Sequence, residues 1–284
     1  MMTPRPPTLI IHHRDLDGYV AAWAADRGTP PYWHAELCSI QYGEEPPKVD
    51  GHDVAILDFS FDRETTLELA AKASSLVVLD HHKGVAEKLA GLESATVHIH
   101  VDESKAGCRL AWEHYRPGLP PPPLVLFAED RDLYRFQLPG TMEFCAAVET
   151  EDDWRMSTFD VVAFEDFEDV IRRGRPIYEY QQTLAKRRAK HATFGRLRGH
   201  DCLVLNHGGF LVSETAEAML QDEDSPGVAL IWTWTGTDLL CSLRSSDDGP
   251  DVSEIAAELG GGGHTHAAGF RFDGSIDDLV EVVS

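Results

Sequence analysis

Short apolar runs alternate with amphipathic stretches along the first half of the chain. The apolar runs cover residues 9–11, 54–57, 76–79 and 124–127. Between them, residues 18–25, 63–74 and 104–115 carry apolar side chains at helical spacing, and Asp62 is well placed to cap the second of these stretches. Strand–helix alternation of this kind predicts right-handed βαβ units and therefore a parallel sheet.

The pattern changes after about residue 199. Residues 202–206, 227–235 and 239–244 are predicted to form strands, the last two as a hairpin around residues 236–238. Residues 213–220 and 253–259 are predicted to form helices. This part of the chain is therefore interpreted as a smaller, separate α/β domain.

A charged stretch lies between the two parts. Residues 171–191 are rich in Lys and Arg, and they predict a helix that joins the domains. A nucleic-acid-binding helix is the alternative interpretation of the same residues. The predicted organisation is a first domain at residues 1–165, a helical linker at residues 166–198 and a second domain at residues 199–284.

Carboxylates and imidazoles follow the apolar runs. They are His13, Asp15, Asp17, Asp58, Asp80, His81, His82 and Asp130. The carboxyl ends of parallel strands meet at one edge of a sheet, so these groups are predicted to converge there. A lone acid at such a position is most often a helix cap. Several carboxylates together could not all stay ionised without a cation, and the set therefore predicts a two-metal site.

The ligand types narrow the choice of metal. Carboxylates and imidazoles without thiolates suit Mn²⁺ best, and Mg²⁺, Fe²⁺ or Zn²⁺ less well. Asp58 is a natural bridging carboxylate because it comes from the next strand, and Gly18 permits the turn after Asp15 and Asp17. We predict two Mn²⁺ ions, with Mg²⁺ or another divalent cation as the alternative.

A glycine-rich segment in the second domain is the other candidate site. Gly261, Gly262 and Gly263 precede His264 directly, and Arg244 ends a predicted strand shortly before them. Glycines allow backbone N–H groups to point at an anion, and Arg offers a fork of donors. The segment is predicted to bind a phosphate or carboxylate, although a glycine run alone is usually a flexible loop.

Composition limits the partners. The formal net charge of −23 argues against capture of long nucleic acid, which relies on Lys and Arg neutralising many phosphates. The five cysteines are scattered, the first seven residues lack the apolar core of a signal peptide, and no apolar stretch approaches the roughly 20 residues that a membrane span needs. We expect a cytoplasmic protein without a membrane partner; its oligomeric state stays open, with a homodimer among the options.

The motifs resemble those of a known family. His13-Arg14-Asp15-Leu16-Asp17-Gly18, Asp58, Asp80-His81-His82 and Asp130 are similar to the four ordered motifs of the DHH phosphoesterases. Ser242-Leu243-Arg244-Ser245 and the segment at residues 261–269 resemble the signature of the associated DHHA1 domain. The resemblance covers residues 8–272 and implies an α/β fold with a parallel-sheet DHH domain, a smaller DHHA1 domain and an active site in the cleft between them.

The resemblance also implies a role for each motif residue. His13, Asp15 and Asp130 are expected to hold one metal, Asp17 and His81 the other, and Asp58 is expected to bridge them. Asp132 is the alternative to Asp130, because Glu129-Asp130-Arg131-Asp132 departs from the family pattern.

The remaining motif residues are assigned to catalysis and to substrate binding. Asp80 and His82 are assigned to the catalytic step, with His82 beside the reacting phosphate. Arg244 and His264, with the glycines before it, are expected to hold a substrate phosphate.

The expected activity is a Mn²⁺-dependent phosphodiesterase that releases mononucleotides from short single-stranded oligonucleotides. Other members with this layout are phosphatases of 3′-phosphoadenosine 5′-phosphate and cyclic-dinucleotide phosphodiesterases, which are the alternatives. A DNA-specific exonuclease would use the basic helix at residues 172–190. A catalytically inactive nucleotide-binding module is the alternative from a different class.

Overall fold

The computed structural model describes residues 5–27, 34–150, 156–221 and 224–282. The expectation that the first seven residues lack a signal-peptide core falls partly on residues 1–4, which lie outside the described residues. The chain divides into two compact units, Met1–Tyr178 and Glu179–Ser284. Of the helices in the described ranges, none has the length and apolar character that a membrane span needs.

The first unit is built on a five-stranded parallel sheet. Its strands are β1 (Leu9–His13), β2 (Glu36–Ile40), β3 (Asp53–Leu57), β4 (Ser75–Asp80) and β5 (Val97–Val101). They lie side by side in the order β2-β1-β3-β4-β5, every neighbouring pair parallel. The predicted parallel sheet is confirmed, with three of the four apolar runs as its central strands. The two edge strands, β2 and β5, were not predicted.

Helices cover both faces of this sheet. They are α1 (Leu16–Arg27), α2 (Arg63–Lys72), α3 (Val85–Lys88), α4 (Gly107–Tyr115), α5 (Pro123–Asp132), α6 (Thr141–Glu149), α7 (Met156–Val162) and α8 (Phe167–Ala189). The three predicted helices and the predicted joining helix correspond to α1, α2, α4 and α8. The Asp62 carboxylate accepts a hydrogen bond from Thr65 N at 2.8 Å, which confirms the predicted cap of α2.

Alternation along the strands divides the core into two layers. Ile10 and Leu79 pack with α1 and α4, where the rings of Trp23 and Trp112 stack at 5.9 Å. Ile11 packs on the opposite face, in the same cluster as Leu69 of α2. A parallel sheet buried on both faces in this way presents its strand ends as the exposed edge where ligands bind.

The fourth apolar run is a helix, so the prediction of a strand at residues 124–127 was wrong. Pro123 stands at the first helical position, where its missing N–H costs nothing. The buried positions Leu124, Val125, Phe127 and Ala128 follow helical spacing. Four apolar residues in a row cannot distinguish a buried strand from a buried helix, and tertiary packing selected the helix.

The second unit contains a mixed seven-stranded sheet. Its strands are β6 (Thr193–Leu197), β7 (His200–Asn206), β8 (Val228–Trp234), β9 (Leu239–Ser245), β10 (Gly262–His264), β11 (Ala267–Phe272) and β12 (Glu281–Val282). Their order is β10-β11-β9-β8-β7-β6-β12, and only the pair β7–β8 is parallel. The helices are α9 (Val212–Leu220), α10 (Val252–Glu258) and α11 (Ile276–Leu279). The three predicted strands, the hairpin and the two predicted helices are all present.

Candidate metal centre

The turn after β1 places the first acid. Asp15 Oδ2 lies 2.5 Å from His13 Nδ1, and Asp15 Oδ1 accepts a hydrogen bond from Gly18 N at 2.9 Å. A Cβ atom on Gly18 would overlap the carbonyl of His13, so only glycine permits this turn. Burial disfavours the ionised carboxylate, but the adjacent His13 and the Gly18 N–H together hold the pKa of Asp15 below its usual range.

Asp17 joins the start of two helices. It lies in the first turn of α1 and is buried, and its carboxylate accepts hydrogen bonds from Gly107 N at 2.6 Å and Cys108 N at 2.9 Å. These are the first N–H groups of α4, which have no partner within their own helix. Asp17 is therefore an anion at a helix N-terminus, held rigidly in place.

Asp58 lies at the centre of the group. It follows β3 with a φ of 56°, a left-handed conformation that Asp tolerates better than most residues. Its Oδ1 lies 3.0 Å from His81 Nε2, and its Oδ2 lies 3.9 Å from His13 Nδ1 without a hydrogen-bond partner in the described residues. Burial, then repulsion from Asp17 and Asp15, raises the pKa of Asp58 well above its usual range.

The Asp80-His81-His82 motif follows β4 directly, and Asp80 orients the other two residues. Its Oδ1 accepts hydrogen bonds from His81 N at 2.7 Å and His82 N at 3.0 Å, and it lies 2.8 Å from His82 Nδ1. Burial disfavours its charge, but His82 holds the pKa of Asp80 below its usual range. The Oδ1 atom is thus committed to the two histidines, whereas the buried Oδ2 atom has no hydrogen-bond partner among the described residues.

His81 faces the other acids. Its Nε2 lies 3.0 Å from Asp58, 3.4 Å from Asp132 and 3.8 Å from Asp17. Burial, with the neighbouring His82, lowers the pKa of His81. A lowered pKa favours the neutral ring, which is the form that binds a metal ion.

Asp132, and not Asp130, lies against His81. The Asp132 Oδ2 atom is buried and has no hydrogen-bond partner among the described residues. Burial, followed by the charges of Asp17 and Asp15, raises the pKa of Asp132 well above its usual range. It has the features of a ligand: proximity to the cluster, an unsatisfied oxygen and a charge that lacks compensation.

Asp130 has a different set of partners. Its carboxylate accepts hydrogen bonds from Gln137 N at 2.9 Å, Leu138 N at 3.1 Å and Thr141 Oγ1 at 2.5 Å. The expectation that Asp130 is the acid of this motif facing the cluster is corrected by this geometry. Around a helix, positions two residues apart point about 200° away from each other, so only one of Asp130 and Asp132 can face the cluster.

Together the side chains form two overlapping groups with metal-ligand spacing. In His13-Asp15-Asp58 and in Asp17-Asp58-His81, the potential ligand atoms lie within 4.8 Å of one another. Both groups share Asp58. The buried, unpartnered oxygens of Asp58 and Asp132 and the mutual repulsion of the carboxylates fit a pair of divalent cations.

Tyr42 is a neighbour of the cluster that the sequence analysis missed. It follows β2, and its ring centroid lies 5.6 Å from that of His13 and 4.8 Å from that of Phe59. Burial of the hydroxyl, followed by the charges of Asp80 and Asp58, raises the pKa of Tyr42 well above its usual range. The missing signal was β2 itself: without that strand, Tyr42 had no predicted position at the sheet edge.

The predicted substrate residues lie close together in the second unit. The strand register aligns Arg244 of β9 with Ala267 of β11, and Ala267 with His264 of β10. The Arg244 guanidinium donates to Ser213 Oγ and Leu243 O, each at 2.8 Å, and its Nε has no hydrogen-bond partner within the described ranges. The Nε–H group of Arg244 is thus an unsatisfied donor among the described residues.

The three glycines have different reasons to be glycine. A Cβ on Gly261 or on Gly263 would overlap backbone of β11, whereas a Cβ on Gly262 would meet nothing within 4 Å. The first and third glycines are thus required for packing within the sheet. Gly262 is the position whose open side is consistent with a bound group.

Comparison with known proteins identifies the C-terminal domain and the fold. Residues 211–284 match the DHHA1 domain. The fold is similar to that of RecJ from Thermus thermophilus in complex with Mn²⁺, with a TM-score of 0.53 and 15% identity over 94% of this chain and 50% of that chain. It is also similar to the DHH domain of a protein assigned to a family of ribosomal proteins, with a TM-score of 0.53 and 17% identity over 94% of this chain and 83% of that chain. Residues 211–284 are therefore a DHHA1 domain, and the chain as a whole has a fold like those of RecJ and of this DHH domain.

A curated relative extends the comparison beyond the DHHA1 domain. The uncharacterized protein R106 of Acanthamoeba polyphaga mimivirus is 26% identical over 234 residues, which cover 80% of this chain and 55% of that protein. This chain thus spans little more than half the length of this relative. The cluster of carboxylates and imidazoles between His13 and Asp132 lies outside the matched DHHA1 residues.

Proposed function

We propose that this chain is a phosphodiesterase that uses two divalent cations to release mononucleotides from short single-stranded oligonucleotides. The observation that carries the proposal is the position of Asp58, which belongs to both ligand groups. One cation is assigned to His13, Asp15 and Asp58, and the other to Asp17, Asp58 and His81. Asp132 replaces Asp130 as the ligand from the fourth motif, because its free oxygen lies beside His81.

The chemistry follows from this ligand set. When bound, two such cations lower the pKa of an attacking water and neutralise charge on the phosphoryl oxygens. His82, oriented by Asp80, is positioned to donate a hydrogen bond or a proton to the substrate. Arg244 and His264 are assigned to a substrate phosphate, and the free Nε of Arg244 supports this role. Mn²⁺ is favoured by the mixture of carboxylates and imidazoles, and RecJ from Thermus thermophilus was solved with Mn²⁺.

The net charge supports a short substrate. The 25 Lys and Arg residues are outnumbered by 48 Asp and Glu, and the resulting net charge of −23 opposes binding of a long phosphate backbone. A di- to pentanucleotide needs only the metal pair and a few contacts to its end. Long single strands are expected to be poor substrates.

The test is a substrate panel resolved by product length. Chelator-treated protein is supplied with Mn²⁺ and incubated with di- to pentaribonucleotides, 3′-phosphoadenosine 5′-phosphate and cyclic dinucleotides. We expect mononucleotides from the short oligomers, and loss of product in Asp15→Asn. The matched control is Asp62→Asn, which changes the same chemical group at an exposed helix cap, where Asn caps equally well.

The contrary outcomes are specific. A protein that is inert on every phosphoester with Mn²⁺ would not be this enzyme, and an active Asp15→Asn variant would remove the metal centre from the reaction. Turnover of 3′-phosphoadenosine 5′-phosphate or of cyclic dinucleotides alone would replace the oligonucleotide assignment with one of those activities.

A further inference from the structure

A short loop after α5 holds two aromatic side chains in solvent. Tyr134 and Phe136 are 51% and 47% exposed, although large apolar side chains are usually buried. Leu133 and Leu138, on either side, pack against the core of the first unit. The loop is thus anchored at both ends, and the aromatic pair points outward between the anchors.

The backbone of this loop is held in an uncommon conformation. Tyr134 and Phe136 have φ angles of 51° and 48°, a left-handed region that bulky residues rarely adopt. Two such residues in one loop persist only where the surroundings impose them, and strain of this kind concentrates at functional sites. The strain keeps both rings outside the core.

Asp130 is the residue that imposes this conformation. Its backbone carbonyl accepts hydrogen bonds from Arg135 N at 3.0 Å and Phe136 N at 3.4 Å. Its carboxylate accepts from Gln137 N and Leu138 N, so four consecutive N–H groups of the loop converge on one residue. Asp130 is only 5% exposed, and the loop is therefore fixed from within the protein.

The aromatic pair lies next to the metal cluster. Tyr134 is two residues from Asp132, whose carboxylate lies 3.4 Å from His81. Consecutive Cα atoms are about 3.8 Å apart, so the Cα atoms of Tyr134 and Asp132 are within about 8 Å. The two rings meet edge to face, with centroids 5.5 Å apart and planes at 79°. The two rings thus pack against each other.

We propose that Tyr134 and Phe136 form a stacking platform for a nucleobase of the substrate, beside the phosphate held at the metal cluster. The proposal rests on the proposed function and names the part of the substrate that these residues recognise. Every nucleobase has a flat π-face, and stacking on an aromatic ring is strong and tolerant of sequence. Stacking also needs no positive charge, which suits a chain with a net charge of −23.

The experiment measures binding with a base-sensitive probe. The probe is a dinucleotide with a hydrolysis-resistant methylenephosphonate linkage and 2-aminopurine bases, whose fluorescence is quenched on stacking. A second probe has the same linkage and sugars but no bases, and its affinity is measured by competition. Both are titrated into the full chain with Mn²⁺, for the wild type and for Tyr134→Leu, Phe136→Leu and Tyr134→Phe.

We expect Tyr134→Leu and Phe136→Leu to bind the 2-aminopurine probe about 5- to 150-fold more weakly, with loss of quenching. In the same variants, the fold-loss of affinity for the base-free probe should be at least five times smaller than that for the 2-aminopurine probe. Tyr134→Phe keeps the ring and should restore binding to within about twofold. Phe164→Leu is the matched control, because Phe164 is an exposed aromatic residue, at 76%, in the turn after α7.

The platform is overturned if the Leu variants bind and quench like the wild type, or if both probes weaken equally. It is also overturned if Tyr134→Phe is as defective as Tyr134→Leu while thermal unfolding shows all variants folded. Failure of the proposed function looks different: the wild type would bind and quench the 2-aminopurine probe but hydrolyse no phosphodiester. Turnover by the wild type with unaffected Leu variants would leave the enzyme intact and remove the platform alone.

Discussion

Gly107 lies in direct contact with Asp58. A Cβ atom at position 107 would overlap the Cβ atom of Asp58 and lie 2.8 Å from its Oδ1. The backbone N of the same glycine donates to Asp17. One residue at the start of α4 thus sets the position of two acids of the cluster, and it can do so because it lacks a side chain.

Gly107→Ala is therefore expected to damage the cluster without removing any ligand. The methyl group must displace Asp58 or the start of α4, and we expect Mn²⁺ affinity to fall at least tenfold and the free energy of unfolding to fall by about 1–3 kcal/mol. Calorimetric titration with Mn²⁺ and urea unfolding measure both. The control is Gly209→Ala, where a Cβ would meet nothing within 4 Å. Equal Mn²⁺ affinities in the two variants would contradict the contact.

Substitutions of Asp132 and of Asp130 are expected to affect different properties, Mn²⁺ binding for Asp132 and stability for Asp130. Asp132→Asn removes a charge beside His81, and we expect at least tenfold weaker Mn²⁺ binding with little loss of stability. Asp130→Asn leaves the cluster its charges but weakens three hydrogen bonds, at a cost of about 1–3 kcal/mol. Mn²⁺ titration and urea unfolding of the same two variants test the assignment. A reversed pattern would return the metal ligand to Asp130.

Asp58→Asn should stabilise the metal-free protein. The pKa of Asp58 is raised in the folded chain and ordinary in the unfolded chain, so at neutral pH the carboxylate favours unfolding. Its replacement is expected to raise the free energy of unfolding by about 1–3 kcal/mol in the presence of a chelator. With excess Mn²⁺, the wild type is expected to be more stable than Asp58→Asn, because Mn²⁺ stabilises only a chain that binds it. Urea unfolding with and without Mn²⁺ measures this, and a less stable metal-free variant would refute it.

His114 makes the stability of the first unit depend on pH, and it lies outside the candidate metal centre. Burial, together with His98 and His100, lowers the pKa of His114 to about 4, and the rings of His98 and His114 stack at 5.3 Å. Glu93 lies 3.9 Å from His98. The unfolded chain binds a proton at His114 below about pH 6.5 and the folded chain does not, so stability falls as pH drops from 6.5 to 4.

His114→Phe removes this titration and keeps a ring against His98. Between pH 7 and pH 4.5, we expect the free energy of unfolding of the variant to fall by about 1–3 kcal/mol less than that of the wild type. This range allows for partial exposure of the ring. Urea unfolding at a series of pH values gives the two curves. Parallel curves would mean that His114 is already protonated in the folded chain.

The central part of the fold could be predicted because local and tertiary signals agreed. The apolar runs of β1, β3 and β4 end in acids, and Asp62 caps α2 as expected. The edge strand β5 was missed although residues 97–101 alternate apolar and polar positions, buried at Val97 and exposed at His98. Two imidazoles in five residues concealed a pattern that is typical of a half-exposed strand.

The error at the fourth motif had one physical origin. With residues 124–127 interpreted as a strand, Asp130 was expected to lie at the sheet edge shortly after the end of that strand. In the helix, Asp132 lies four residues after Ala128 and eight after Leu124, on one buried side, and Asp130 lies on another. Helical spacing alone does not choose between them, because Asp130 follows the buried Phe127 by three residues and is itself buried. Tyr134 and Phe136 could not be placed, because left-handed backbone at aromatic residues has no sequence signature.

The three bonds that converge on Asp80 Oδ1 have a consequence for ion capture. Two of them come from the backbone N–H groups of His81 and His82, and they fix the main chain at the end of β4. The backbone that carries both imidazoles is therefore held in place before a cation binds, so less of the free energy of binding is spent on ordering this segment.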